Sequence, residues 1–181
     1  MQTSIDHSEL VSNITLLLSK YQLGDELEIR FGYYDNEYFR SSISYQTYNK
    51  LLTIFSNDNN YTSSFISNII HMYSNGIRQI RTDNDTIIIK KNKKTRVDNH
   101  KLGVRIALSN EKKLTELPSG KYMRKTRHRH TFVHKSNKYI IDLTIDTLPN
   151  SNQCQCEIEF LEIPDIVDII NMINMINDIM E

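Results

Sequence analysis

Two short segments constrain this chain more than any other feature: "ELEIRFG", beginning at Glu26, and "CEIEF", beginning at Cys156. Each sets two glutamates two residues apart among apolar neighbours. In a β-strand, side chains at i and i+2 point to the same face, roughly 6.7 Å apart, so each pair of carboxylates repels itself. Glu26, Glu28, Glu157 and Glu159 therefore need solvent or a cation against them.

The same alternation sorts the other charged strands. In "KTRHRHTF", Lys125, Arg127, Arg129 and Thr131 share one face. In "IDLTID", Asp142, Thr144 and Asp146 oppose Ile141, Leu143 and Ile145. An open sheet with its polar face in water explains each strand singly, because polar-out alternation is common. It does not explain why the signs separate by strand, since a solubilising face mixes them. A closed barrel with a charged lumen does. One wall would take a cation and the other a polyanion, and helices would cover the apolar outer faces.

The rest of the chain supplies the parts. Leu10, Ile14, Leu17 and Leu18 recur at helical spacing behind Asp6 as a cap, predicting a helix over 6–21. Tyr48, Leu51, Leu52 and Phe55 mark a second helix, and the Ile and Met stripe after Pro164, placed in the first turn, marks a third. Asp168, Asn171, Asn174 and Asn177 interrupt that stripe, which reads as a core contact and not as a membrane span. Strands are expected over 24–33, 64–73, 77–82, 85–91, 102–109, 122–134, 138–147 and 153–162. "YSNGIR", "RTDNDT" and "HKSNKY" read as hairpin turns, and "LSNEKKLTELPSGK" as an exposed loop. The expected fold is mostly β (α+β): a closed, eight-stranded antiparallel barrel with three helices outside, in one domain over 1–181.

Lys and Arg number 22, as do Asp and Glu, so no global attraction to nucleic acid or membrane follows and any electrostatic site must come from local segregation. Cys154 and Cys156 sit on one face of one strand, where an unstrained disulfide is not expected, which points to a reducing compartment. Without a signal pattern or an apolar run of spanning length, the expectation is a soluble intracellular protein. Alanine occurs once, at Ala107.

In these motifs the chain resembles the tunnel-type, metal-dependent RNA triphosphatases of fungal and large DNA virus mRNA capping systems, within the triphosphate tunnel metalloenzymes. "ELEIRFG" resembles the family's first-strand Glu-x-Glu-x-basic motif, "CEIEF" its last-strand Glu-x-Glu, and "KTRHRHTF" with "IDLT" the basic and Asp-x-Thr strands between. The resemblance implies a hydrophilic tunnel holding a triphosphate and Mg or Mn, with Glu26, Glu28, Glu157 and Glu159 at the metal; hard carboxylate oxygens suit such ions. It implies that Glu157 orients the attacking water while Glu159 ligates. Lys125, Arg127 and Arg129 would hold the phosphates, helped by Arg30, by Arg78 in preference to Arg81, by Lys90 or Lys91, and by Arg105. Glu111, Asp142 and Thr144 would support them.

The implied reaction is removal of the γ-phosphate from 5′-triphosphate RNA, with nucleoside triphosphates as further substrates and a capping guanylyltransferase as partner. If the source is viral, the site of action is the host cytoplasm or the virion. Arg30 and Lys125 stand where many relatives carry Lys and Arg, respectively, which bears on phosphate geometry. Two alternatives stay open: a tunnel phosphatase of inorganic triphosphate, thiamine triphosphate or free nucleotides, and a non-catalytic RNA-binding barrel using 90–96 and 124–129. The second has no use for four inward glutamates. Cys154, Cys156, His128 and His130 form period-two pairs as a zinc site would, but on the faces opposite the charged ones.

Overall fold

A computed structural model describes residues 8–82 and 84–181. Eight strands form a closed antiparallel barrel in the order β1-β10-β9-β8-β4-β5-β6-β7. They are β1 (Glu26–Phe31), β4 (Tyr61–Tyr73), β5 (Ile77–Arg81), β6 (Thr86–Asn99), β7 (Val104–Leu114), β8 (Tyr122–His134), β9 (Tyr139–Leu148) and β10 (Ser151–Phe160). Closure is made by β1, which pairs with β10 on one side and β7 on the other.

The odd-numbered apolar residues of β1 form the barrel's outer surface. Leu27, Ile29 and Phe31 cluster with Val104, Ile106 and Leu108 of β7 and with Ile141, Leu143, Cys156 and Ile158 of β9 and β10. Three helices cover this side: α1 (Ser8–Leu18), α2 (Tyr45–Asn57) and α3 (Ile166–Met180). Each contributes one stripe, Leu10, Ile14 and Leu17 from α1, Tyr48, Leu51 and Phe55 from α2, and Ile169, Ile173 and Ile176 from α3. Full burial of such a side chain contributes about 1.5–3 kcal/mol, so the helices hold the barrel by one continuous core outside it. The cysteine and histidine pairs lie apart in this arrangement, as their faces suggest: both cysteines are buried, whereas His128 and His130 lie against the exposed ring of Phe65 on the β4–β8 outer face.

Several boundaries differ from the sequence expectation. Strand β1 ends at Phe31, and 33–40 forms a separate hairpin, β2 (Tyr33–Asp35) with β3 (Tyr38–Arg40). Gly32 permits this, since a Cβ there would collide with the Arg40 carbonyl. The hairpin docks by stacking Tyr34 on His100 with ring centroids 3.7 Å apart, and the Tyr34 hydroxyl donates to the Val104 carbonyl at 3.2 Å. The first half of the loop expected over 108–121 is strand, up to Leu114: Lys93 lies opposite Ser109, and Lys91 opposite Glu111. Strand β6 runs on past Lys91 to Asn99, with a bulge between Lys93 and Thr95. Helix α2 starts at Ser44, whose hydroxyl accepts from the Thr47 amide at 3.0 Å. Asp165 is the α3 N-cap, which puts Pro164 ahead of the helix and not in its first turn. The proposed α1 cap, Asp6, lies outside the described residues.

Candidate active site

The even-numbered positions of β1 turn inward and meet the polar faces of the other strands in a tunnel of about 460 Å³. Glu26, Glu28, Arg30, Arg78, Lys91, Glu111, Lys125, Arg127, Arg129, Asp142, Glu157 and Glu159 all line it. Of the remaining expected residues, Thr144 is fully buried in β9, its hydroxyl without a partner. Lys90 pairs with Ile77 on the opposite parity from Lys91 and is not part of the lining. Arg105 is displaced from the tunnel into an adjoining cavity, where Asp98 holds it by two bonds at 2.6 and 3.0 Å.

Register explains the acidic wall. Glu28 stands directly opposite Glu159 across β1 and β10, and Arg30 opposite Glu157. Protein cations offset most of this charge. Lys91 Nζ donates to Glu26 at 3.0 Å and to Glu28 at 3.2 Å. The Arg30 guanidinium lies 2.7 Å from Glu28 and 3.0 Å from Glu157. Burial opposes the charge on Arg30, yet Glu157 and Glu28 hold its pKa above the ordinary value. Burial likewise works against ionised Glu157, but Arg30, Arg127 and Arg129 together hold it below the usual carboxylate range.

Glu159 is the exception. It makes no hydrogen bond or ion pair among the described residues, and burial, with Glu26 and Asp142 nearby, pushes its pKa up to about 7. Burial, with Glu26 adding repulsion, also raises Glu111. The donor set fits a hard divalent cation in kind, since four carboxylates line one stretch of tunnel and one of them, Glu159, has no direct ion-pair partner among the described residues. As they stand, no three His, Cys, Asp or Glu side chains among the described residues are drawn together closely enough to hold an ion. Lys91 and Arg30 are the cations now standing among these glutamates.

The basic wall is built on β8 and braced by β9. Asp146, 1 % exposed, accepts two bonds from Arg127, both at 2.8 Å, and one from Lys125 at 2.6 Å. Burial would raise Asp146, but Arg127 and Lys125 hold it below its ordinary value. Two residues beyond Arg127, Arg129 reaches Asp142 at 2.7 Å, and the Thr131 hydroxyl donates to the same carboxylate at 2.6 Å. Burial nonetheless keeps the Asp142 pKa above its ordinary value. Asp146 is the site residue that sequence reasoning passed over. Its inward parity was legible, but its role depends on facing Arg127 across β8 and β9.

Arg78 is the counterpart of Glu159. It projects from β5 into the tunnel with no hydrogen bond or ion pair among the described residues, and burial, together with Arg127, lowers its pKa. Glu111 and Glu157 act on it only from a distance, and a buried guanidinium without a direct partner is what a bound polyanion would complete.

Comparison with protein-family models and with curated proteins finds no match to this sequence. Comparison of the structure does. The chain is similar to the Pct1 RNA triphosphatase of S. pombe, with a TM-score of 0.65 at 18 % identity over 96 % of this chain and 84 % of that one. It is also similar to the RNA triphosphatase domain of a trifunctional mimivirus mRNA capping enzyme, with a TM-score of 0.64 at 15 % identity over 96 % and 98 % of the two chains. A second Pct1 structure, in complex with the Spt5 CTD, matches with a TM-score of 0.64 at 16 % identity, over 96 % of this chain and 85 % of that one. The chain has the tunnel fold of these RNA triphosphatases.

Proposed function

We propose that this protein is a metal-dependent RNA 5′-triphosphatase that removes the γ-phosphate of nascent mRNA, the first step of cap formation. The observation that carries the reading is the division of one tunnel into a wall of carboxylates, where Glu159 has no direct ion-pair partner among the described residues, and a wall of cations, where Arg78 has none. A triphosphate needs the second wall, and only hydrolysis needs the first.

In this reading Arg127, Arg129, Lys125 and Arg78 bind the phosphate oxygens and stabilise the charge that develops as the terminal phosphoryl group transfers. Asp146 and Asp142 fix the forks of Arg127 and Arg129 before substrate arrives, so little reorganisation is needed. Glu157 accepts a hydrogen bond from the attacking water and holds it in line with the leaving oxygen. With its pKa held low, it orients that water as an ionised acceptor and is a weak base. The bond from water oxygen to the γ-phosphorus forms, the bridging bond to the β-phosphate oxygen breaks, and the water's proton passes to solvent. The products are 5′-diphosphate RNA and orthophosphate.

Glu26, Glu28, Glu159 and Glu157 would hold Mg or Mn. When bound, such an ion neutralises charge on the phosphate oxygens. Lys91, bonded to Glu26 and Glu28, is the residue most affected by an ion there. The neighbours' settings support the capping assignment: one comes from a trifunctional mRNA capping enzyme. A guanylyltransferase is the partner this activity implies.

The test is release of phosphate from 5′-triphosphate RNA, ATP and inorganic triphosphate, each with chelator, Mg or Mn. Metal-dependent release from RNA supports the proposal. Turnover in excess chelator, or binding without any release, contradicts it.

A further inference from the structure

The tunnel has a side chamber. A cavity of about 380 Å³ opens off it beside Arg30, Arg78 and Lys91, which line both spaces. Glu28 and Met72 also line both, and the wall beyond them mixes Tyr73, Ile77 and Ala107 with the charged Lys93, Arg96 and Arg105.

Specific features of the chain open this space. Strand β5 has only five residues, and the turn before it passes through Gly76 at φ +79°, where a Cβ would press on the Lys91 carbonyl at 3.2 Å. The β6 bulge between Lys93 and Thr95 shifts the register, so that Arg96 comes to lie opposite Ala107. Ala107 also lies opposite Glu28 on the other side of β7. It is the chain's one alanine, set between the fully buried Ile106 and Leu108. A branched side chain at 107 would reach into the chamber and narrow it; alanine leaves that side open.

We infer that this chamber receives the nucleoside attached to the triphosphate, and so lets the protein favour nucleotide-linked triphosphates over inorganic triphosphate. The inference rests on the triphosphatase reading of the tunnel. A phosphate chain is read by guanidinium forks, but a base and ribose need apolar walls with a few polar groups, in a space of about 300–1,000 Å³. The chamber has that volume and one apolar side, at Tyr73, Ile77 and Ala107, among charged walls, and touches the phosphate-binding part of the tunnel at Arg78 and Arg30. Lys93 makes no hydrogen bond or ion pair among the described residues, and Arg96 is held only at one atom, 3.2 Å from Asp98. Both are available to a phosphodiester following the first nucleoside, which favours RNA over a free nucleotide.

The experiment compares ADP with pyrophosphate in titration calorimetry, and ATP and 5′-triphosphate RNA with tripolyphosphate in turnover, for the full chain and for Ala107→Leu and Lys93→Ala. The wild-type protein should bind ADP about tenfold more tightly than pyrophosphate, the scale of modest apolar pocket contacts. Ala107→Leu should remove that preference while KM and kcat for tripolyphosphate stay as they were. Lys93→Ala, which cannot collapse the chamber, should raise KM for triphosphate RNA several-fold and leave tripolyphosphate unchanged. Equal binding of ADP and pyrophosphate by the wild type overturns the inference, as does an ADP preference that survives Ala107→Leu or losses that fall equally on all substrates. If no triphosphate is hydrolysed at all but Ala107→Leu still abolishes an ADP preference, the chamber stands and the triphosphatase reading falls.

Discussion

Arg30 and Glu157 face each other across β1 and β10, guanidinium Nε to carboxylate at 3.0 Å, although the two belong to opposite ends of the chain. This contact joins the first Glu-x-Glu motif to the last, because the same guanidinium reaches Glu28 at 2.7 Å. Glu157 is thereby kept ionised and pointed into the tunnel. Glu157→Gln keeps the shape and a hydrogen-bonding oxygen but loses the charge. It is expected to bind tripolyphosphate within a few-fold of wild type while kcat falls about 10²–10³-fold, as read by calorimetry alongside phosphate release.

The basic wall makes a contrast between the two faces of one strand. Arg127→Ala and Arg129→Ala each remove a group that the proposed mechanism aims at the phosphates and should lower kcat by about 10²–10³-fold. His128→Ala and His130→Ala alter only the outer face around Phe65 and should leave kcat within about twofold of wild type. Steady-state kinetics on the four variants checks this; equal losses on both faces would mean that the inward register of β8 is wrong.

Asp146 links the site to stability. Its folded-state pKa lies below the ordinary aspartate value, so on acidification the unfolded chain takes up the proton first. The stabilisation is therefore full above the ordinary aspartate range and fades as pH falls through the lower folded value. Asp146→Asn should cost about 3–5 kcal/mol near neutral pH, since it leaves Arg127 and Lys125 without their buried partner. It should also flatten the acid limb of the Tm profile. Thermal melts across that pH range measure both effects.

Lys91 stands among glutamates that would otherwise repel. Lys91→Ala should lower the Tm of the metal-free protein, and added Mn should raise the Tm of the variant by more than it raises that of the wild type, because the ion then meets less competition. A smaller Mn-induced shift in the variant than in the wild type would place the ion elsewhere.

Much of this site was legible from side-chain parity alone. The inward positions of Glu26, Glu28, Arg30, Arg127, Arg129, Asp142, Glu157 and Glu159 follow from alternation along single strands, and the structure puts all of them in the tunnel. What parity cannot supply is register between strands. Lys90 and Lys91 were indistinguishable until β6 was seen to set Lys91 against Glu111. Arg105 shares parity with Glu111 but sits toward the other end of β7, where Asp98 holds it and Phe39 lies under its guanidinium at 4.7 Å. The strand expected over 85–91 continues to Asn99, because the basic stretch beyond Lys91 pairs with β7 and lines the adjoining cavity. The hairpin at 33–40 has no counterpart in the sequence reading, which ends the first strand at Tyr33, since the close approach that Gly32 allows is a tertiary fact.

The central claim is that the two walls together cleave the outermost phosphoanhydride bond. The direct measurement uses 5′-triphosphate RNA carrying label in the γ-phosphate, incubated with wild-type protein and Mn, with the products separated by charge. The label should leave as orthophosphate, the RNA should keep its β-phosphate, and Glu157→Gln should leave the substrate intact. Release of the label as pyrophosphate, or a Glu157→Gln protein that turns over at the wild-type rate, would contradict the mechanism.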